Sequence, residues 1–319
     1  MEWVKCDLCG LDDVESLLTG KDRLLGGEEE FGVVRCRNCG LIYTNPRPTR
    51  EEISRYYPSQ YSAFAFSQGG VAGLVRRTLL EREVRRVRSL IGGVRRVLEV
   101  GCGTGEYLAA LHEVRGWSVM GLEPSPYAAQ VARERGLEIV TGTLEEARLA
   151  DEAFDLVILR HVLEHLPSPS HTLGEVHRLL ADDGLCLLTL PDIGSWEARL
   201  IGRFWYELDL PRHLYHFTKK SLFNLLAKHR FRVRCIGHSH SPNIWIGSLR
   251  YALQEKGAPG FLTKWLRIEN PFCLLLFAPL TLLLAVLGQG SRITVAAEKI
   301  APSGDAAFSI PSFEGDRVR

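Results

Sequence analysis

The stretch RVLEVGCGTGEYLAAL, residues 96–111, decides how this chain is read. Apolar β-formers come first, glycines then recur at every second position (Gly101, Gly103, Gly105), and helix-like spacing follows. That is the outline of a nucleotide-binding strand, loop and helix. Around it, apolar strand candidates at 96–100, 118–123, 137–141, 154–159, 184–190 and 231–238 alternate with helix candidates, and a last strand is expected at 292–299. Such alternation predicts an α/β fold, a doubly wound parallel sheet wrapped by helices.

The glycines fit GxGxG, not the GxGxxG of dinucleotide sites, whose third glycine presses the helix against the strand beside a pyrophosphate. An acid, Glu99, stands just inside the strand end, and a second, Glu123, closes the next strand candidate. The first suits an ammonium group and the second can chelate a ribose diol. A ligand carboxylate would lie at the N-terminus of the helix opening near Gly105. Ammonium, carboxylate and ribose without phosphate describe S-adenosylmethionine.

The ordered set VLEVGCGTG, GLEPS, FDLVILRHVLEHLPSP and LCLLTLPD resembles the successive motifs of class I S-adenosylmethionine-dependent methyltransferases over roughly residues 94–240. The resemblance implies a Rossmann-like, seven-stranded sheet flanked by helices. It places Glu99, Gly101, Cys102, Gly103 and Gly105 along the methionine moiety and Glu123 with Pro124 at the ribose. Gly142, Thr143 and Leu144 would lie by the adenine, and Arg160 and His161 would face the cofactor. The adenine loop TGTLEE lacks the aspartate that many relatives carry just before it, so contacts there are expected from backbone and apolar groups. A CxxC…CxxC head followed by CGLIYTNPRP and later PRHLYHFT resembles a bacterial subgroup associated with surface polysaccharide and glycan biosynthesis, which suggests a sugar-type or lipid-linked glycan acceptor.

Composition is that of a folded protein: 319 residues, 45% hydrophobic, 24% charged, net charge +1. No global basic excess points to nucleic acid. The start, MEWVKCDLCG, has no apolar run of the kind that marks an export signal. Of eight cysteines, four form two CxxC knuckles, Cys6/Cys9 and Cys36/Cys39, each closed by glycine. Tetrahedral zinc takes four thiolates, two from each tight bend, so the pattern predicts a closed structural zinc site, reduced thiols and a cytoplasmic setting. The 26 residues between the pairs suffice for a small hairpin.

The remaining segments set the expected division: a zinc ribbon at 1–48, a helical linker at 49–92, the methyltransferase domain at 93–300 and a loose tail at 301–319. Tyr56, Tyr57 and Tyr61 form either an aromatic flap over a ligand or packing between modules. Residues 74–91 read as a helix with Leu80, Val84, Val87 and Ile91 on one face and an arginine-rich opposite face, solvated or against anionic lipid. Two clusters compete to supply a general base near neutral pH. One is RHVLEHL, with His161 at a strand exit and Glu164 and His165 behind it. The other is FWYELDLPRHLYHFT, residues 204–218, with His213 and His216 as bases and Trp205, Tyr206, Asp209, Arg212 and His213 as acceptor contacts. In the plainer reading of that loop, His213 and Asp209 satisfy each other. Within an insertion at 241–290, residues 271–287 carry no charge and Pro279 interrupts them. They are expected to dip into one membrane leaflet, to be buried in a dimer or core, or to span a bilayer. A small phenolic, quinone or natural-product acceptor, or a zinc-headed binding module without turnover, are the rival functions.

Overall fold

A computed structural model describes residues 1–57, 78, 80–85, 87–89, 93, 95–239 and 241–300. Tyr61, Ile91 and the expected tail lie outside the described residues.

Seven strands form the main sheet: β4 (Arg96–Val100), β5 (Ser118–Glu123), β6 (Glu138–Thr141), β7 (Phe154–Arg160), β8 (Leu180–Pro191), β10 (Phe231–Ser239) and β11 (Arg292–Lys299), in the order β10-β11-β8-β7-β4-β5-β6. Pairings among β4 to β8 are parallel, and β11 lies antiparallel between β8 and β10. The expected strands thus stand where their apolar runs are. The sheet is mixed because its last strand enters by a hairpin-like return.

Alternating side chains of each strand go to opposite faces, and both are covered, which is why these strands are apolar throughout. Leu98, Val157, Leu159 and Leu188 pack with Leu173, Val176 and Leu179 of α3 (Pro169–Leu179) and Leu222, Leu225 and Leu226 of α5 (Lys219–Lys228). Val97, Leu156, Ile158 and Leu187 pack on the other side with Leu108 and Leu111 of α1 (Glu106–His112), with Ala129 and Ala132 of α2 (Pro126–Glu134), and with Val84 and Val87. Residues 78, 80–85 and 87–89 are helical, and Val84 and Val87 are buried as their spacing predicts. Residues 196–201 form α4 (Trp196–Ile201) after β8.

The cysteine-bearing head is built on β1 (Val14–Lys21), β2 (Glu30–Cys36) and β3 (Ile42–Thr44), and the first two make the expected antiparallel hairpin. Its sheet takes in residues beyond 48. A fourth strand, β9 (Tyr215–His216), pairs with β3, and Thr44 Oγ1 donates to the His213 carbonyl at 2.9 Å. Cys6, Cys36, Leu41 and Tyr43 share one buried cluster with Leu214, Tyr215 and the main sheet.

Between β10 and β11 the expected insertion folds as α6 (Pro242–Glu255), α7 (Gly260–Trp265) and α8 (Pro271–Val286), with Pro279 inside α8. Only Cys273, Thr281 and Leu284 of α8 are buried, whereas Phe272, Leu275 and Val286 are 73%, 71% and 77% exposed. Core burial within the chain is therefore not the fate of this helix. Among the described residues, no helix is long and apolar enough to cross a membrane.

Candidate cofactor and acceptor site

The expected cofactor residues converge at the carboxyl ends of β4 to β7, where the order reverses on either side of β4. Open α/β sheets form their binding crevice at such a reversal. Gly101 and Cys102 both donate to the Leu122 carbonyl, at 2.7 and 3.1 Å, so the loop after β4 is hung from the end of β5. Gly105 opens α1 at φ +76°, and a Cβ there would come within 2.6 Å of Leu137 Cδ1 and 2.9 Å of Ala132 Cβ, so glycine lets α1 seat against α2. Gly103, at φ +54°, has open space for 4 Å around the position a Cβ would take, which leaves its backbone accessible from the crevice.

Two buried carboxylates define the polarity of the crevice. Glu123 accepts from Gly103 N and Ser125 N, each at 2.8 Å, and keeps further lone pairs for hydroxyl donors. Burial raises its proton affinity and the two amides oppose the rise. Glu99 is 3% exposed, and its Oε2 has no hydrogen-bond partner among the described residues. Burial raises the Glu99 carboxyl to about 8; the Arg160 guanidinium pulls the other way, while Glu83 and Glu123 add to the rise. A buried acid with one oxygen unpartnered fits a cationic ligand group, which would draw it into the charged form.

Arg160, at the end of β7, lies over the Tyr107 ring at 3.8 Å and pairs with Glu83 at 3.0 Å, which draws the helix carrying Glu83 to the crevice. Sequence reasoning missed Glu83, since nothing local marks a partner 77 positions away. Gly142 N donates to the Glu123 carbonyl at 3.0 Å, Thr143 N to Glu146 Oε2 at 3.0 Å, and Leu144 is buried, so these three line up beside the β5 end. Pro124 follows Glu123 directly, before the Ser125 cap of α2.

His161 sits at φ +55°, an uncommon conformation for a residue with a Cβ, with its N–H donated to the Thr189 carbonyl at 2.7 Å. Its ring is 36% exposed, and Nδ1 lies 3.4 Å from Glu164 Oε1, an ion-pair separation without hydrogen-bond alignment. Glu164 is 1% exposed. Burial alone would raise its carboxyl, but the facing imidazoles of His161, His165 and His213 outweigh that and hold it near 2. His165 Nδ1 lies 3.0 Å from the Arg212 carbonyl and 2.9 Å from the Tyr57 hydroxyl. Burial lowers it to about 4. His213 Nδ1 donates to the Glu207 carbonyl at 2.8 Å, and its ring meets that of His165 edge-on at 4.5 Å. The two histidine clusters of the sequence are therefore one neighbourhood.

Several expected acceptor residues are occupied elsewhere. Arg212, expected as an acceptor contact, is fully buried, with its guanidinium on Asp22 at 2.8 Å and on Asp209 at 2.7 Å; it ties the end of the first hairpin to this loop. Trp205 is 2% exposed inside the Phe31–Leu208 cluster. Asp209 lies 3.9 Å from His213 Nε2 and faces Arg212, close to the plainer reading of the loop. Tyr206 stacks on Tyr251 at 5.6 Å. His216, in β9, contacts Thr44 Oγ1 at 3.3 Å, and burial lowers it to about 3, which leaves it behind the site as a neutral group. Of the two described tyrosines of this segment, Tyr56 packs against Phe31 and Tyr57 reaches His165.

In the head, Cys6 Sγ lies 3.4 Å from Cys39 Sγ and Cys9 Sγ 3.5 Å from Cys36 Sγ, with all four sulfurs within 4.8 Å of one another. The bends match: Gly10 N donates to the Cys6 carbonyl and Gly40 N to that of Cys36, at 2.7 and 2.9 Å. Tetrahedral zinc with bonds near 2.3 Å sets sulfurs about 3.8 Å apart, so this donor set fits zinc.

Residues 72–236, just over half of the chain, match the family described as a methyltransferase domain. The C-methyltransferase NovU of Streptomyces niveus is 26% identical over 263 residues, covering 77% of this chain and 59% of the relative. A ubiquinone biosynthesis O-methyltransferase of Alkalilimnicola ehrlichii is 38% identical over 107 residues, covering 31% of this chain and 43% of the relative. The chain thus spans about half of the length of these relatives. Among solved structures, the [4+2]-cyclase SpnF is similar in fold at a TM-score of 0.51 and 17% identity, over 79% of this chain and 97% of that one. The motif run, the strand order and the matched domain agree: the chain belongs to the class I S-adenosylmethionine-dependent methyltransferase family.

Proposed function

We propose that this chain methylates a sugar-type acceptor, carried on a lipid in the fullest form of the reading, with His161 as the general base. The observation that carries it is His161 itself, held in a left-handed conformation at the mouth of the crevice with buried Glu164 behind it. S-adenosylmethionine supplies an already activated methyl group. Glu99 would hold its ammonium end, Glu123 its ribose, and the Gly142–Leu144 turn its adenine. The chain's own work is then to align the acceptor, exclude water and take up the acceptor's proton. The Glu164 carboxylate faces the imidazole of His161 at 3.4 Å and would stabilise it once protonated.

Tyr57, His165 and His213 form the wall beside His161 and are the groups nearest to an entering acceptor. Zinc on Cys6, Cys9, Cys36 and Cys39 would brace the head that packs behind this wall and do no chemistry. The exposed apolar side of α8 supports peripheral docking at a membrane, where a lipid carrier would be anchored. A second reading, a phenolic or quinone acceptor, is favoured by the name of the Alkalilimnicola relative, and the same α8 surface would then meet the acceptor's apolar tail.

An acceptor screen by tritiated methyl incorporation tests the function. In it, His161→Ala is expected to lower kcat by about 10²-fold or more while S-adenosylmethionine affinity stays within a few-fold. A variant that turns over at near wild-type rate removes His161 from the role.

A further inference from the structure

We propose that Glu164, His165 and His213 form a divalent-cation site of the two-histidine, one-carboxylate type, distinct from the four cysteines and lying at the acceptor side of the crevice. A carboxylate oxygen and one ring nitrogen from each histidine lie within 4.8 Å of one another. Ligands at about 2.1 Å from an ion stand about 3.0–4.2 Å apart, so a contraction of about half an ångström closes the set.

Three features make this more than a chance cluster. Glu164 is 1% exposed, yet neither of its carboxylate oxygens has a hydrogen-bond partner among the described residues. Its surroundings are imidazoles, His161 Nδ1 at 3.4 Å among them, none aligned as a hydrogen-bond donor, so a coordinated cation can take the place of that electrostatic compensation. Both rings are held from behind: Arg212 O lies 3.0 Å from Nδ1 of His165, which the Tyr57 hydroxyl also meets at 2.9 Å, and Glu207 O lies 2.8 Å from Nδ1 of His213, whose Nε2 stands 3.9 Å from Asp209. Metal-bound imidazoles are oriented in this way, the second nitrogen donating to a main-chain carbonyl. The carbonyls belong to the loop that buried Arg212 clamps through Asp22 and Asp209, so the groups behind the ligands are rigidly held.

The donor set selects for a borderline divalent ion such as Mn²⁺, Fe²⁺, Co²⁺ or Zn²⁺ over Ca²⁺. His161 Nδ1 stands 3.4 Å from Glu164 Oε1. An ion bound here would lie beside the base, able to take an oxygen of the acceptor; this placement rests on the methyl-transfer reading above.

The probe is Mn²⁺ alone, added to full-length protein dialysed against a chelator and assayed for zinc content, since four thiolates hold Mn²⁺ poorly. Paramagnetic resonance of free Mn²⁺ is expected to report close to one bound equivalent. Glu164→Gln and His213→Gln should each weaken that binding at least tenfold without altering the zinc content. Wild-type protein that binds no Mn²⁺ overturns the proposal, as does binding that Glu164→Gln leaves unchanged. S-adenosylmethionine affinity measured on the same samples keeps the two readings apart: cofactor binding without Mn²⁺ binding removes the cation site and leaves the methyltransferase function standing.

Discussion

Glu99 shows how one buried acid couples stability to ligand charge. Its ordinary value is near 4.5 and the fold raises it to about 8. Between those values the folded protein keeps a proton that the unfolded chain has lost. The contribution is therefore most favourable below pH 4.5 and declines as pH rises toward 8, by about 3 kcal/mol by pH 7. Glu99→Gln is expected to flatten this slope in denaturant titrations and to lose at least tenfold in S-adenosylmethionine affinity. Calorimetry of the wild type in two buffers should show net proton release from the protein on binding. A Glu99→Gln protein that binds as tightly as wild type would exclude the ammonium role. At this scale the sequence was informative about types and positions, because both acids sit next to strand ends that the pattern marks. It was silent about Glu83 and about the fate of Arg212, whose partner Asp22 is 190 positions away.

Among the elements, α8 is the outlier. It is 16 residues long and presents Phe272, Leu275, Leu276, Leu282, Leu283 and Val286 to solvent, a continuous apolar surface larger than isolated exposed side chains make. Its composition was legible as too apolar for a surface loop; which side faces outward depended on how α6 packs beside it. Flotation with anionic liposomes is expected to carry wild-type protein to the top of the gradient, and Leu275→Glu combined with Val286→Glu to leave it at the bottom. Wild type that stays at the bottom would remove the membrane reading. The strands of the main sheet, by contrast, were legible to within a residue or so apart from the start of β8, four residues earlier than its apolar run, since strands covered on both faces are apolar throughout.

At the scale of the whole molecule, the cysteine head and the main sheet share a buried cluster. The pairing of β3 with β9 and the buried cluster shared by Cys6, Cys36, Tyr215 and Leu188 join the cysteine head to the methyltransferase sheet. Chelation of the proposed zinc is therefore expected to lower a single melting transition by on the order of 5–10 °C. A separate low-temperature step with the main transition unmoved would mean that the head folds independently.

Local chemistry was enough to write the glycine loop, the two acids, the knuckles and the alternation of strands, because each is specified by neighbours within a few turns of chain. Convergence was not. His165 and His213 meet, Arg160 finds Glu83, and a two-residue strand completes the N-terminal sheet only when distant segments are packed together. Those choices are made by burial of charge and closure of the core, which leave no periodic trace in the sequence.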